Sequence, residues 1–215
     1  MNIFSSQYHL DVIYSFALSK GINIFLPFNE IILQIKKLGY KIRPFKISNI
    51  KRVEKTINIL NGLEYNTHLD VGSGRGNFIF PYVEDIVNKD ISLTIVEQLE
   101  KYCDILKSGL EYCNIDSKII NANFLYFSED TKYDIITLLE VLEHIPEWEL
   151  ALNKAIQLSS RYIVISVPSK EDSNPEHLHL ITPTKVESFL DKNKINCTFK
   201  INGVSNHWIY LIIKK

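Results

Sequence analysis

The chain has 215 residues, of which 46% are hydrophobic and 23% are charged, a composition typical of a soluble globular protein with one α/β domain of ordinary size. It contains no run of about 18 apolar residues, so no membrane span is expected. Its three cysteines form no C-x-x-C pair and its N-terminus lacks a leader-peptide pattern, so we expect reduced thiols and a cytoplasmic location.

The first part of the chain has the apolar spacing of helices. The predicted helices cover about 8–19, 28–38 and 47–61. We expect a helical N-terminal cap at 1–66, followed by a domain at 67–215. The first segment has nine basic and four acidic residues, and eight of the basic ones lie between Lys36 and Lys55. This basic segment is either the solvated face of two amphipathic helices or a patch that attracts phosphate groups.

From residue 67 onward, short β-rich runs alternate with segments of helical spacing. The strand-like runs are His68–Val71, Leu93–Glu97, Lys118–Asn121, Tyr133–Leu139 and Tyr162–Val167. The segments of helical spacing are about 75–88, 98–113 and 147–158. This alternation predicts an α/β fold with a parallel, doubly wound, Rossmann-like sheet.

The pattern changes after Pro168. A short helix is expected over about Pro183–Asp191, and two β-rich runs follow at about Asn196–Ile201 and His207–Ile213. Between these two runs, Asn202–Gly203 is a strong turn signal. Seven strands are therefore expected in all, and the sheet is expected to end in a reversed C-terminal β-hairpin.

The most informative motif is a glycine loop directly after the first strand. Asp70 ends the strand, and Gly72, Gly74 and Gly76 follow it. Without side chains, such a loop brings backbone N–H groups close to a ligand. The G-x-G-x-G spacing differs from the G-x-G-x-x-G of nicotinamide binders, and no Gly-Lys-Ser/Thr of a P-loop follows. The acidic residue before the loop favours a ligand that carries a cationic amine.

Polar residues also follow the later predicted strands. Glu97 ends the second strand, Asn121–Phe124 follow the third, and the string Glu140–His144 follows the fourth. In an open α/β sheet the ligand binds at the carboxyl ends of the strands. A carboxylate at Glu97 can accept both hydroxyls of a ribose, and the residues after the third strand can bind and pack an aromatic base.

Together these motifs resemble the class I S-adenosylmethionine-dependent methyltransferase superfamily, over roughly residues 50–215. The motifs that carry the resemblance are Asp70–Gly76, Glu97, Ala122–Leu125, Tyr133–Ile136 and Glu140–Ile145. The resemblance implies an enzyme that uses S-adenosylmethionine as its cofactor and methyl donor. It also implies a seven-stranded sheet with a reversed hairpin, which agrees with the strand pattern.

The resemblance further implies which residues hold the cofactor. Asp70 and the glycine loop would hold the methionyl moiety, and Glu97 would bind the ribose hydroxyls. Asn123 would meet the adenine, at a position where such families usually have Asp. The full set of expected cofactor residues is Asp70, Gly72, Ser73, Gly74, Gly76, Glu97, Gln98, Asn123, Phe124 and Glu140.

Glu140, Glu143 and His144 are the candidate catalytic residues, because one helical turn can present all three side chains at a site. His144 is a base or pocket residue, a metal ligand, or only structural. Two histidines, His177 and His179, lie in the loop after the fifth predicted strand. In the metal hypothesis, a divalent ion held by the three candidate catalytic residues and His179 would acidify an acceptor hydroxyl. The string is similar to those of metal-dependent small-RNA 2′-O-methyltransferases and of the quinone-biosynthesis O-methyltransferases that act on polyprenyl catechols. It is also widespread among small-molecule methyltransferases.

Three functions follow from this pattern. The first is methyl transfer to a small-molecule acceptor at oxygen, with Phe25, Phe28, Tyr40 and Phe45 as candidate lid aromatics. The second is metal-dependent RNA 2′-O-methylation, which is less favoured because residues 67–215 carry a net charge of −6. The third is a non-catalytic S-adenosylmethionine-binding protein, which the intact strand-end residues disfavour. The sequence does not predict the acceptor or the oligomeric state.

Overall fold

The computed structural model describes residues 6–40, 47–86 and 89–215. The strands are β1 (Thr67–Val71), β2 (Ser92–Glu97), β3 (Ser117–Asn121), β4 (Tyr133–Leu139), β5 (Ser159–Pro168), β6 (Cys197–Val204) and β7 (His207–Lys214). They form one sheet in the order β3-β2-β1-β4-β5-β7-β6. The first five strands are parallel, and β7 pairs antiparallel with both β5 and β6. The predicted Rossmann-like sheet with a reversed hairpin is confirmed.

The helices lie where the apolar spacing predicts them. They are α1 (Ser6–Ser19), α2 (Phe28–Lys37), α3 (Ile47–Asn61), α4 (Ile79–Ile86), α5 (Glu100–Tyr112), α6 (Trp148–Leu158) and α7 (Pro183–Lys192), with a single 3₁₀ turn at Leu142–His144. The largest difference is at α4, which begins four residues later than the pattern suggests. The left-handed backbone of the glycine loop continues to Gly76, and a helix cannot start before it ends.

Two apolar layers sandwich the sheet. Side chains of α1 to α5 pack on one face, and side chains of α6 and α7 pack on the other. Successive strand residues serve opposite layers, as the pleat requires: Ile135 belongs to the first layer and Ile136 to the second. Because both faces are covered, the central strands are buried almost throughout, and so are the polar side chains within them, such as His68, Thr94 and Thr137.

The terminal hairpin turns at a different place from the one predicted. Asn202–Gly203 lie within β6, and the turn is made by Ser205 and Asn206, with φ of +45° and +64°. Gly203 is opposite Trp208, and a Cβ on it would lie 3.2 Å from the indole ring. The glycine therefore makes room for the tryptophan, and the predicted turn position is wrong.

The fold contains no disulfide bonds. All three cysteines are free thiols. Among the described residues, no helix has both the length and the apolarity to cross a bilayer. Stability therefore comes from the two apolar layers and the ladder of strand hydrogen bonds.

Candidate functional site

The loop after β1 turns on three glycines with left-handed backbone, at φ of +70° for Gly72, +56° for Gly74 and +78° for Gly76. A Cβ on Gly72 would lie 2.7 Å from Cγ2 of Val141, and one on Gly76 would overlap the ring of Phe80. A Cβ on Gly74 would meet no protein atom within 4 Å. The first and third glycines therefore allow close packing, whereas the second leaves its backbone open to a ligand.

Asp70 lies beneath this loop. It is 2% exposed, and its carboxylate accepts hydrogen bonds from the hydroxyls of Ser73 and Thr137. Burial raises the pKa of Asp70 to about 7, against an ordinary value of 3.8. Asp70 thus links Ser73 of the glycine loop to Thr137 of β4 and helps to hold the loop in place.

A cavity of about 720 Å³ opens at the carboxyl ends of the parallel strands. Seven of the ten expected cofactor residues line it: Gly72, Gly74, Glu97, Gln98, Asn123, Phe124 and Glu140. Asp70, Ser73 and Gly76 do not. Leu99 and Tyr102, from the start of α5, also line the cavity although the motifs did not indicate them. The cavity extends to His144, so it joins the expected cofactor residues to the expected catalytic ones.

Glu97 connects two segments of the cavity wall. Its Oε2 accepts a hydrogen bond of 2.8 Å from the backbone N–H of Gly74, and its Oε1 accepts one of 2.9 Å from that of Leu99. A carboxylate has about four lone-pair sites, so each oxygen retains capacity for a ligand hydroxyl. This geometry suits the bidentate recognition that the sequence suggests for Glu97.

Asn123 and Phe124 form the wall after β3. Asn123 is exposed, and its Oδ1 accepts a hydrogen bond of 2.8 Å from the backbone N–H of Leu125. This Asx turn occupies one lone pair of the amide oxygen and leaves the other for a ligand. Phe124 is buried, with the ammonium of Lys154 5.6 Å from its ring centroid.

Glu140 is fixed by a network that the sequence did not indicate. Its backbone has φ of +59°, and its N–H donates to the carbonyl of Ser166 at 2.9 Å. The Ser166 hydroxyl donates to Oε1 at 2.9 Å, and Nε2 of His207 lies 3.1 Å from Oε2. The Arg52 guanidinium donates to the same hydroxyl at 3.0 Å. Burial would raise the pKa of Glu140, but the His207 hydrogen bond and the Arg52 charge outweigh it and lower that pKa.

Three potential cation ligands cluster around His144, which lines the far end of the cavity, although the other two are not among the lining residues. Donor atoms of Glu143, His144 and His177 all lie within 4.8 Å of one another. Glu143 is 0% exposed, and neither of its carboxylate oxygens has a hydrogen-bond partner among the described residues. Burial, aided by the nearby Glu140 charge, raises the pKa of Glu143.

The expected metal set is therefore only partly brought together. Glu143 and His144 are adjacent as predicted, but Glu140 points into the network with Arg52 and His207 instead. Nε2 of His179 lies 3.0 Å from the carbonyl of Pro146, outside the cluster. His177, two residues earlier in the same loop, takes the place expected for His179. The sequence spacing could not separate these two histidines, because the loop has no periodic structure.

The expected lid aromatics lie away from the cavity. Phe25 is 93% exposed, Phe28 packs against α1, and the Tyr40 hydroxyl donates to Asp104 on α5 at 2.7 Å. None of these three lines the cavity. Phe45 lies outside the described residues.

Residues 39–200 match the family model described as a methyltransferase domain. The chain belongs to this family. No curated protein sequence matches it significantly. This methyltransferase resembles a SAM-dependent methyltransferase from Aquifex aeolicus with a TM-score of 0.62 and 18% identity, over 84% of this chain and 96% of that one. The class I superfamily and the S-adenosylmethionine-dependent enzyme class predicted from the motifs are confirmed.

Two other solved structures share the fold. Magnesium protoporphyrin IX methyltransferase from Synechocystis PCC 6803, with bound SAH, has a TM-score of 0.61 and 14% identity, over 76% of this chain and 82% of that one. The small RNA methyltransferase HEN1 has a TM-score of 0.65 and 17% identity, over 82% of this chain but only 26% of its own. Identities this low show a common fold alone, and these two proteins are named for different substrates, a porphyrin and a small RNA.

Proposed function

We propose that this methyltransferase transfers a methyl group to a hydroxyl oxygen of a small-molecule acceptor, with His144 as general base. The supporting observation is the contact of 2.8 Å between Nδ1 of His144 and the carbonyl oxygen of Glu176. Because a carbonyl oxygen only accepts, Nδ1 carries the ring hydrogen and Nε2 of the neutral imidazole keeps its lone pair. His144 lines the cavity, where this lone pair can take the proton of an acceptor hydroxyl.

The cavity fits S-adenosylmethionine because the backbone at Gly74 is open and the Glu97 carboxylate has capacity for two hydroxyls. We assign Gly72 and Gly74 to the methionyl end, Glu97 to the ribose, and Asn123 and Phe124 to the adenine. When bound, the cofactor supplies an electrophilic methyl group on a positively charged sulfur. The chain's contribution is to align the acceptor with that methyl group and to remove the hydroxyl proton.

A small acceptor is favoured over RNA by the charges of the cavity wall. Among the described residues, the acidic side chains that line it are Glu97, Glu140, Glu147 and Glu176, and no Lys or Arg lines it. Such a wall does not attract phosphates. Within the basic segment, Arg52 is buried behind Glu140, and residues 41–46 lie outside the described part of the chain.

The proposal is tested with S-adenosylmethionine labelled in its methyl group, offered either a small-metabolite extract or total RNA. We expect label in a small molecule as a methoxy group, and a His144→Asn variant should lower the rate by roughly 100-fold or more. His179→Asn is the matched control, because its imidazole contacts the carbonyl of Pro146 and does not line the cavity. Label found only in RNA, or a methyl group on nitrogen, would contradict the proposal.

A second candidate is metal-dependent RNA 2′-O-methylation, which the cluster of Glu143, His144 and His177 favours. Nδ1 of His177 lies 3.0 Å from the carboxylate of Asp172, so its ring hydrogen points there and Nε2 keeps the lone pair. A metal-binding histidine usually donates the N–H of its other ring nitrogen to a carboxylate or a carbonyl. Nδ1 of His144 and Nδ1 of His177 both have such partners. Together with the unpartnered Glu143 carboxylate, these residues would hold a divalent cation that acidifies an acceptor hydroxyl.

A further inference from the structure

We infer that the Glu140 carboxylate binds the α-ammonium group of the cofactor, and that Arg52, Ser166 and His207 are positioning residues that hold it there. The inference rests on the proposed cofactor site. An ammonium group beside the glycine loop requires a carboxylate that reaches the cavity there. Asp70 is excluded because it is 2% exposed and does not line the cavity.

Glu97 lies on the β2 side of the glycine loop, where it is assigned to the ribose and not to the ammonium group. It ends β2, and its two oxygens hold backbone N–H groups of Gly74 and Leu99. Glu140 instead follows β4, which pairs with β1 on its other edge. Its neighbour Val141 packs against Gly72, where a glycine Cβ would lie 2.7 Å from the valine methyl. Glu140 is therefore the cavity carboxylate that flanks the start of the glycine loop.

Arg52, Ser166 and His207 orient the Glu140 carboxylate through hydrogen bonds. The Arg52 guanidinium can only donate, so the Ser166 oxygen accepts from it and passes its own hydrogen to Oε1 of Glu140. Nδ1 of His207 lies 2.9 Å from the carbonyl of Ser205, and Nε2 lies 3.1 Å from Oε2 of Glu140. Both of these partners only accept, so both ring nitrogens of His207 donate.

The network stands behind the carboxylate. Arg52 is 4% exposed, and neither Arg52 nor Ser166 nor His207 lines the cavity, whereas Glu140 does. Each oxygen of Glu140 therefore has one side held by donors and retains lone-pair capacity toward the cavity. The left-handed backbone of Glu140 is a strained conformation for a residue with a side chain, and the bond from its N–H to Ser166 sustains it. A ligand ammonium in front of this carboxylate would meet a preorganised acceptor.

The test compares two ligands by calorimetry: S-adenosylhomocysteine, which carries the ammonium, and 5′-methylthioadenosine, which lacks the amino-acid end. Glu140→Gln should weaken S-adenosylhomocysteine binding roughly 10- to 100-fold, the worth of a charge-assisted hydrogen bond. Binding of 5′-methylthioadenosine should stay within about twofold of the wild type, because this ligand has no ammonium group for Glu140 to bind. General damage to the fold would instead weaken the binding of both ligands alike.

His207→Ala should also weaken binding of S-adenosylhomocysteine selectively, and His207→Gln, which retains an N–H donor, should restore it. Tyr210→Phe is the control, because it removes a buried hydrogen bond of 2.8 Å from the same hairpin without touching Glu140. Equal weakening of both ligands in Glu140→Gln, or unchanged S-adenosylhomocysteine binding in it, would overturn the inference. Unchanged binding in His207→Ala would overturn the positioning role. Failure of the wild type to bind either ligand would instead refute the proposed cofactor site.

Discussion

The backbone N–H of Gly74 donates a hydrogen bond of 2.8 Å to Oε2 of Glu97, 23 residues later in the chain. The glycine loop after β1 and the end of β2 are thus joined by one carboxylate. Because the same carboxylate is proposed to bind the ribose, the shape of the loop and the recognition of the cofactor depend on one side chain. A change at Glu97 should therefore affect both.

Replacement of Glu97 by Gln is expected to weaken S-adenosylhomocysteine binding at least tenfold, roughly the worth of hydrogen bonds to a charged group. The amide nitrogen would face a backbone N–H of Gly74 or Leu99, and two donors cannot pair. Calorimetry measures the loss. Asn121→Ala is the matched control, because the Asn121 side chain donates to the backbone carbonyl of Glu97 at 3.0 Å, not to its carboxylate, and does not line the cavity. Equal losses in the two variants would argue against a direct role of the carboxylate.

The glycines of the loop should respond differently to alanine. Gly74→Ala is expected to leave the protein folded, at a cost of roughly 1–2 kcal/mol for the left-handed backbone, but to weaken cofactor binding because its methyl group enters open space at the ligand. Gly76→Ala carries the same backbone cost and in addition overlaps the buried ring of Phe80, so it should lose considerably more stability. Chemical denaturation and calorimetry on both variants measure the two effects. Similar unfolding free energies for both would contradict this division of roles.

The sequence predicted the sheet well because its signals are local and repeated. The strands β1 to β4 are short β-rich runs of five to seven residues, and each one ends at, or is followed directly by, a polar residue or a glycine. Glu97 and Asn123 could be placed at the cavity because parallel strands end on one edge of the sheet. The turn at Ser205 and Asn206 could not be placed, because Asn202–Gly203 carries the stronger turn signal and Trp208 requires the glycine for packing.

The network behind Glu140 could not be predicted for another reason. Arg52, Ser166 and His207 are separated by 114 and 41 residues, and nothing in their local sequence indicates that they meet. Arg52 in particular belongs to a basic segment whose pattern suggests a solvated face. Its burial depends on the packing of α3 against the sheet, which is a tertiary relationship. The choice of His177 over His179 is of the same kind.

The stability of the protein without cofactor should depend on pH through Asp70. Burial raises the folded-state pKa of Asp70 from 3.8 to about 7, so the folded state prefers the protonated form. This contribution is fully present below about pH 4, and it is lost as the pH rises through about 7. The unfolding free energy of the wild type should thus fall relative to Asp70→Asn across this window, with a slope of at most about 1.4 kcal/mol per pH unit. Parallel curves for the two proteins would show that the carboxyl does not titrate in this range.

The cluster at the far end of the cavity makes a prediction about metal. If Glu143, His144 and His177 hold a divalent cation, Mn²⁺ should bind with a one-to-one stoichiometry in calorimetry, and a chelator should abolish activity. Asp172→Ala should weaken Mn²⁺ binding about 10- to 100-fold, because it removes the group that orients the His177 ring, and His177→Asn should weaken it more because it removes the ligand itself. His179→Asn should bind Mn²⁺ as the wild type does, since its imidazole contacts the carbonyl of Pro146 instead.

The metal result also decides how His144 works. A cation on Nε2 of His144 would occupy the lone pair that the base mechanism requires, so one imidazole cannot serve both roles in the same step. Full activity in chelator with loss of activity in His144→Asn would support the base and exclude the metal. Loss of activity in both chelator and His177→Asn, reversed for the wild type by added Mn²⁺, would support the metal. In that case the acceptor hydroxyl would be acidified by the cation, and a solvent-exposed base would suffice to take its proton.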